Sequence, residues 1–498
     1  MPAARRGHER SMRDEIRSVR IAIGARRIYS MMKRLIETVR RLERDTRPSD
    51  PESDAALARR FAELPEHVRT PAQLVGRRTT GCEGTHGVFP RCNFACKPCY
   101  HSENANRVRV DGAHTLREVD AQMAYLRQER GPGQFAQLIG GEASLLDPDD
   151  HAAALLAMRR HGRVPMSFSH GDFDYDYLER LALAADGTPR FSLLSFAGHF
   201  DTTMRGRRGS NRPQRESDLN EHRARFCAMF KRLEREHGVR SYLAHNMTVT
   251  PGNVDQIPDV IRACRRMGFR MFSFQPAAYV GDEARWTAGF RSLDADAVWA
   301  RIEEGAGVGL PYRAVQMGDE RCNRTTWGLY VGHRYVPVLD DTDPRDLAAR
   351  DAFYRAAPRN FSFAPRPVVA VRVVRSIVRH PRAAITGIAY AARLARRLGP
   401  AALRDGARPV TFVMHRFMDA VDVREAWALT KAGETSDDPR IRETQERLAA
   451  CVYGMAHPER GEIVPACVQH SVLDPDETSR LAELLPLTRR LRPPGAER

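Results

Sequence analysis

Lysine is almost missing from this chain. Of its 79 basic residues only four are lysines (Lys33, Lys97, Lys231 and Lys431), leaving 75 arginines against 63 acids and a net charge of +16. So one-sided a choice reads as the base composition of a GC-rich genome. The isoelectric point near 9.8 is therefore no argument for nucleic acid, and no RNA-binding module accompanies it. Also absent is any apolar run of the roughly 18–20 residues that spans a bilayer. With a mean hydropathy of −0.50 and 42% hydrophobic residues, the sequence describes a soluble globular protein and excludes the polytopic membrane and disordered classes. The opening MPAARRGHERSMRDEIRSVR has no apolar core and no small-residue cleavage site, so the expectation is a cytoplasmic protein in a reducing compartment. Nine cysteines in 498 residues make no disulfide framework. In a reducing compartment, clustered thiols point to metal binding or catalysis.

At 498 residues the chain exceeds one ordinary core and predicts two or three units, or one large α/β barrel with additions. Residues 1–75 read as an N-terminal helical extension: Ile28, Met32, Leu35, Val39 and Leu42 recur at helical steps within a long helix over 12–45. From 76 to 300 short apolar runs alternate with helix-period segments. QFAQLIGGEA (134–143), VPMSFSHG (164–171), RFSLLSFAG (190–198), SYLAHNMTVTP (241–251) and FRMFSFQPAAYVG (269–281) are strand-like, with helices between them. That rhythm predicts βαβ units and a partial or complete parallel (β/α) barrel. Residues 301–365 form an irregular connector with a hairpin over 321–341. Residues 366–408 are a basic amphipathic helical segment, in which 366–399 hold eight arginines, no acid and a Pro381 break. Residues 409–498 are expected to form a small C-terminal accessory domain.

The strongest chemical signal is Cys92-Asn93-Phe94-Ala95-Cys96-Lys97-Pro98-Cys99, a C-x3-C-x2-C loop placed where the first strand of the α/β region ends. Thiolates are the usual ligands of iron–sulfur clusters, and four irons need four ligands to be fully capped by protein. Three leave one iron open to bind something else. Structural zinc is the alternative; it asks for a fourth ligand, for which His86, Cys82 or His101 would serve.

The loop, followed some forty residues later by Gly140-Gly141-Glu142 at the end of the second predicted strand, resembles the radical S-adenosylmethionine (radical SAM) superfamily. The resemblance implies a [4Fe–4S] cluster on Cys92, Cys96 and Cys99, with S-adenosylmethionine chelated to the open iron. It implies that Gly140, Gly141 and Glu142 meet the methionine end, and that Ser169, His170 and Ser195, at the ends of the third and fourth predicted strands, lie where polar ribose contacts fall. Reductive cleavage to a 5′-deoxyadenosyl radical, which abstracts hydrogen from an unactivated carbon, would follow. Two positions depart from the family pattern. Pro98 stands where an aromatic residue usually covers the adenine, with Tyr100 just beyond it, and Ala143 follows the Gly-Gly-Glu in place of proline.

A narrower pattern, Phe417-Met418-Asp419 followed by Cys451, a Gly-bearing turn and Pro465-Ala466-Cys467, is similar to the C-terminal region of enzymes related to tetraether lipid synthase. That implies one auxiliary metal or iron–sulfur centre on Cys82, Cys322, Cys451 and Cys467. The alternative is that these four are ordinary buried thiols. Cys227 and Cys264 fit helical periodicity and belong to a core.

The expected function is a radical SAM enzyme acting on an unactivated C–H of an apolar or lipid substrate, served by an electron donor such as flavodoxin or ferredoxin. The basic amphipathic segment would let it sit peripherally on the inner face of a membrane, or would pack its apolar stripe against the barrel. The competing readings are a radical SAM enzyme modifying a peptide or natural product, and a non-catalytic metal-binding protein that docks on membrane or nucleic acid.

Overall fold

The computed structural model describes residues 51–101, 103–209, 212–281, 293–356 and 366–487, together with 32 and 36–38. The helix expected over 12–45 lies outside the described residues except at those last four positions, which are helical. Helix α1 (Pro51–Glu63) precedes the short strand β1 (Cys82–Gly84). The expected alternation follows: α2 (Gly112–Arg130), β2 (Gln134–Leu138), α3 (Pro148–Arg160), β3 (Arg163–Ser169), α4 (Tyr175–Ala182), β4 (Leu193–His199), α5 (Asn220–His237), β5 (Arg240–Val249), α6 (Ile257–Cys264) and β6 (Met271–Pro276). Several helices begin on an aspartate that accepts a backbone N–H of the first turn, as Asp111 does from His114 and Asp174 from Tyr177; Asp147 caps α3 with Pro148 in its first turn. These local signals are why the alternation could be read from sequence.

After α7 (Ala295–Ala306) come the hairpin β7 (Asn323–Val331) and β8 (Arg334–Pro337), α8 (Pro344–Ala356), and the basic segment, which is two helices, α9 (Arg366–Arg379) and α10 (Pro381–Leu398). Strand β9 (Arg408–His415), helices α11 (Ala420–Ala432) and α12 (Pro439–Ala449), strands β10 (Tyr453–His457) and β11 (Glu462–Pro465), and helix α13 (Asp474–Leu484) complete the fold.

All eleven strands belong to one sheet in the order β11-β10-β1-β2-β3-β4-β5-β6-β9-β7-β8. Its centre is parallel, β10 through β6 to β9, while β11, β7 and β8 run antiparallel at the two ends. With β11 and β8 as free edges the sheet is a partial barrel. This differs from the expected partition at 300, 365 and 408, because the hairpin and the C-terminal unit are built into the sheet itself. Strand β10 pairs with β1 (Cys82 opposite Tyr453) and β9 pairs with β6 (Phe272 opposite Phe412). The physical reason is that β1 is three residues long and β6 ends the αβ run. Both would otherwise expose unpaired N–H and C=O groups.

The two faces of the sheet differ. Along β2, Gln134, Ala136 and Leu138 are buried while Phe135 and Gln137 are half-buried. Along β3, Ser167 and Ser169 are buried while Val164, Met166 and Phe168 are half-buried. The buried set faces the helices, where Phe196, Phe226, Phe230, Phe269, Phe272 and Phe412 form a continuous aromatic core. The half-buried set faces the hollow of the barrel. Two ion pairs among the described residues are wholly buried: Arg223 Nη2 to Glu216 Oε2 at 2.7 Å, and Arg163 Nε to Glu83 Oε2 at 2.9 Å, with Arg163 Nη2 on the other carboxylate oxygen of Glu83 at 3.0 Å.

Candidate active site

The cysteine loop leaves β1 and crosses the C-terminal ends of the parallel strands, the end at which barrel loops converge. Backbone hydrogen bonds fix it: Ala95 N–H donates to Arg205 O at 3.0 Å and Lys97 N–H to Thr203 O at 3.2 Å. Cys92 N–H donates to Asn106 Oδ1 at 3.1 Å, and Phe94 N–H points at Cys92 Sγ at 3.3 Å. The Phe94 ring stacks on His170, centroids 3.9 Å apart. Cys92, Cys96 and Cys99 then line one cavity together with Tyr100, Gly140, Gly141, Glu142, Ser169 and His170.

The glycines let two segments touch. A methyl group on Gly140 would stand 2.7 Å from the Phe89 ring, and one on Gly141 would stand 2.1 Å from Arg91 O, so the strand end can lie against the cysteine loop only without side chains. The Tyr100 hydroxyl donates to Gly140 O at 3.1 Å, which ties loop to strand end a second time.

Glu142 follows, almost fully buried. Its Oε1 accepts from Ser144 N–H at 2.9 Å and from the Ser169 hydroxyl at 2.7 Å, and its Oε2 accepts from His170 N–H at 2.8 Å. Burial pushes this carboxyl up, but His170 beside it and the donors outweigh that, and the net direction is down. It is therefore ionised. The His170 ring accepts from Asp172 N–H at Nδ1, 3.0 Å, which puts its proton on Nε2, 2.8 Å from Asn93 Oδ1. Burial lowers His170, and the Glu142 carboxylate beside it opposes that.

Ser169 and His170 thus lie at the end of β3 as the sequence predicts, but their donors are turned on Glu142 and Asn93. Ser195 differs from expectation. Strand β4 runs on to His199, so Ser195 sits mid-strand opposite Tyr242 and does not line the cavity. The polar groups at the strand ends are others, His199, Asn246, Thr248 and Gln275. Behind them Asp201, fully buried, holds His199 Nε2 at 2.6 Å and accepts from Thr248 N–H at 2.8 Å. Each is a lone polar residue ending a strand, and only exact strand ends could have singled them out.

The C-terminal unit supplies the opposite wall. Phe417, Tyr453 and His470 line the same cavity. His470 stands in a π-helical turn, Gln469–Leu473, with its ring 4.2 Å from that of Tyr100 and its Nδ1 2.6 Å from Asp474 Oδ2. Such widened turns recur at functional sites. The buried Tyr453 hydroxyl has no hydrogen-bond partner among the described residues, as suits a group facing space that a ligand fills.

Zinc and a cluster ask different things of these donors. His86 does not serve zinc: its Nδ1 contacts Glu477 Oε1 at 2.8 Å and its Nε2 contacts Ala456 O at 2.7 Å. Among the described residues, the three metal-capable side chains gathered within 4.8 Å are Glu179, Glu236 and His237. The loop's sulfurs stand further apart than a tetrahedral zinc with bonds of about 2.3 Å requires. Burial pushes the Cys96 thiol well up, and Cys99 and Cys92 push it further. Three thiols that oppose one another's ionisation need a bound cationic centre to stay ionised together.

The remaining thiols lie at the junction of β1, β7 and the C-terminal unit. Cys82 shares the β1–β10 register with Tyr453, and Cys322 Sγ receives Arg447 Nε at 3.2 Å. Cys451 Sγ donates to Tyr453 O at 3.3 Å, and Cys467 packs in an apolar cluster with Met418 and Met455. Burial and then Glu83 raise the thiol of Cys82, and burial and then Cys451 raise that of Cys467. Cys227 and Cys264 are core, as expected.

Residues 87–264 match the family model of the radical SAM superfamily. A domain of that superfamily holds a [4Fe–4S] cluster and S-adenosylmethionine, and the three thiols, the Gly-Gly-Glu strand end and their shared cavity fit both. Similar solved structures include native anSMEcpe with bound AdoMet, at 13% identity and a TM-score of 0.28, covering 39% of this chain and 50% of that one. The same protein with AdoMet and the Cp18Cys peptide matches at 12% identity and a TM-score of 0.27, with 39% and 50% covered. This chain thus spans about half the length of the solved structures it matches. No curated protein matches it.

Proposed function

We propose that this chain, whose residues 87–264 carry a radical SAM domain, is an enzyme that acts on an unactivated C–H of an apolar substrate. When bound, the cluster and S-adenosylmethionine supply a one-electron reductive cleavage that delivers a hydrogen-abstracting 5′-deoxyadenosyl radical. The protein's part is positioning and shielding. Cys92, Cys96 and Cys99 hold the cluster. Gly140 and Gly141 bring the strand end close enough to present backbone carbonyls, and the ionised Glu142 receives the cationic amino group. Ser169 and His170 act one step back, fixing both carboxylate oxygens of Glu142. Asn246, Thr248 and Gln275 offer polar contacts to the nucleoside, while Tyr100, Phe417, Tyr453 and His470 close the cavity and exclude water.

The observation that carries this reading is the meeting, in one cavity at the strand ends, of three thiols from one loop with a buried anionic Glu142. The apolar substrate is supported by the lining of the same cavity, which holds Ile139, Phe168 and Val280 beside the polar groups. The test is anaerobic reconstitution with iron and sulfide, then dithionite and S-adenosylmethionine, with 5′-deoxyadenosine read by mass spectrometry. Wild type makes it and Cys96→Ala does not. A fully loaded cluster with no deoxyadenosine would sink the reading and leave a metal-binding protein.

A further inference from the structure

Helices α9 and α10 border a second hollow. Together with α8 and the lower part of the sheet's inner face they bound a chamber of about 710 Å³. Its lining is apolar: Phe135 and Trp327 come from the sheet and Ala384 from α10, while the exposed Val373 and Ile377 of α9 and Ile388 of α10 edge its opening. Phe135 is also the point of contact with the active site. It lies on the same face of β2 as Gln137 and Ile139, which line the cofactor cavity. Two strand residues advance about 7 Å, so the chamber's inner end and the cavity's lower end share one wall.

The outside of the same hairpin is also apolar. Val378, Ile385 and Ile388 are 75, 70 and 72% exposed, and Val374 is exposed as well. Around them stand exposed Arg379, Arg382 and Arg396, in a stretch of eight arginines with no acid. Two of the eight, Arg393 and Arg397, are engaged by Asp346 at 3.0 and 2.8 Å and fasten α10 to α8. A solvated helix has no use for isoleucines exposed to this degree beside uncompensated positive charge. An interfacial helix does, since apolar burial and attraction to anionic headgroups add. Among the described residues no helix is long and apolar enough to cross a membrane.

Resting on the apolar-substrate reading above, we infer that the α9–α10 hairpin docks on an anionic lipid surface and passes a hydrocarbon chain of a membrane lipid into this chamber, towards the active site. The occupant is a lipid chain because the mouth of the chamber opens beside the face that meets the headgroups, so a chain can leave the bilayer without crossing water.

The test reads binding alone, on the full chain. Vesicles of equal phosphatidylglycerol and phosphatidylcholine are expected to pellet the protein at least about tenfold better than pure phosphatidylcholine, the gain that one or two engaged arginines would give. With dibrominated acyl chains, Trp327 in the chamber wall is quenched, read as wild type minus Trp327→Phe. Val378→Glu with Ile385→Glu abolishes pelleting and leaves the fold intact, because both side chains point to solvent. Gly387→Phe blocks the mouth; a Cβ there meets nothing within 4 Å, and replacing a helical glycine favours the helix. This variant still pellets but loses the Trp327 quenching. The inference is overturned by equal pelleting on both vesicle types, by anionic pelleting without Trp327 quenching, or by a hairpin that instead joins two copies of the chain. Deoxyadenosine formation is read separately. Quenching without deoxyadenosine would keep the lipid site and discard the radical reading, and the reverse result would discard the lipid site only.

Discussion

Glu142 shows how much one side chain in this site depends on its neighbours. Two backbone N–H groups and one hydroxyl, all within 3 Å, keep a buried carboxylate charged, and charge is what an ammonium group of a ligand needs. Glu142→Gln is expected to retain the cluster absorbance while weakening S-adenosylmethionine binding about 10- to 100-fold, the range of one charge-assisted hydrogen bond. Equilibrium dialysis on reconstituted protein measures it, and unchanged affinity would remove the assignment. His151 gives a pH effect away from the cavity. It is fully buried between the Ser167 hydroxyl at 2.7 Å and the Tyr177 hydroxyl at 2.9 Å, and burial lowers its pKa from 6.5 to about 4. The fold keeps the ring neutral, whereas the unfolded chain takes up a proton near pH 6.5. Its contribution is therefore complete above pH 6.5 and is lost as pH falls to about 4, by roughly 3 kcal/mol at most. Urea midpoints at pH 7 and pH 5 should differ less in His151→Gln than in wild type.

At the scale of elements, the join between the cysteine loop and the end of β2 is the most sensitive contact. Gly141→Ala places a methyl against the Arg91 backbone, where neither partner is a flexible side-chain end. Iron per chain after reconstitution is expected to fall severalfold while the circular dichroism of the α/β core is kept; full iron loading would show that the loop can retreat. The sheet has its own weak point. Arg163→Ala leaves Glu83 buried and uncompensated between strands, and breaking a buried pair from one side costs about 3–5 kcal/mol. A denaturant titration measures it, and a loss under about 1 kcal/mol would mean that Arg130, which also acts on Glu83, takes over. The alternating helices and strands were legible because aspartate caps and apolar strands of five to ten residues are local signals. β1, with three residues, and β11, with four, carry no such signal and exist because a neighbour pairs with them.

For the whole molecule, the matched span at 87–264 sits within a larger sheet. Strands β9 and β10 cover β6 and β1, and α13 reaches Val108 through Leu481 and Leu485. A fragment of residues 76–300 is expected to be insoluble or aggregated, since it exposes both strand edges and the apolar faces beneath the C-terminal unit. A monomeric, cooperatively unfolding fragment in size exclusion and calorimetry would show the core to be independent. The same architecture places the wall formed by Phe417, Tyr453 and His470 between 141 and 194 residues beyond Pro276, the end of the last αβ unit.

The sequence by itself determined the αβ rhythm, a parallel barrel either partial or complete, the three-thiol loop and the Gly-Gly-Glu strand end, because each is written in neighbouring residues whose spacing is its own signal. Only the tertiary structure decided that the C-terminal unit is part of the sheet, that Ser195 lies below the site, and that Ser169 and His170 serve Glu142. It also decided that His199, Asn246, Thr248 and Gln275 ring the cavity, and that the basic hairpin covers an apolar chamber. Those depend on which strand edge is left unpaired and where each strand ends, quantities that long-range pairing and packing set and that no local pattern records.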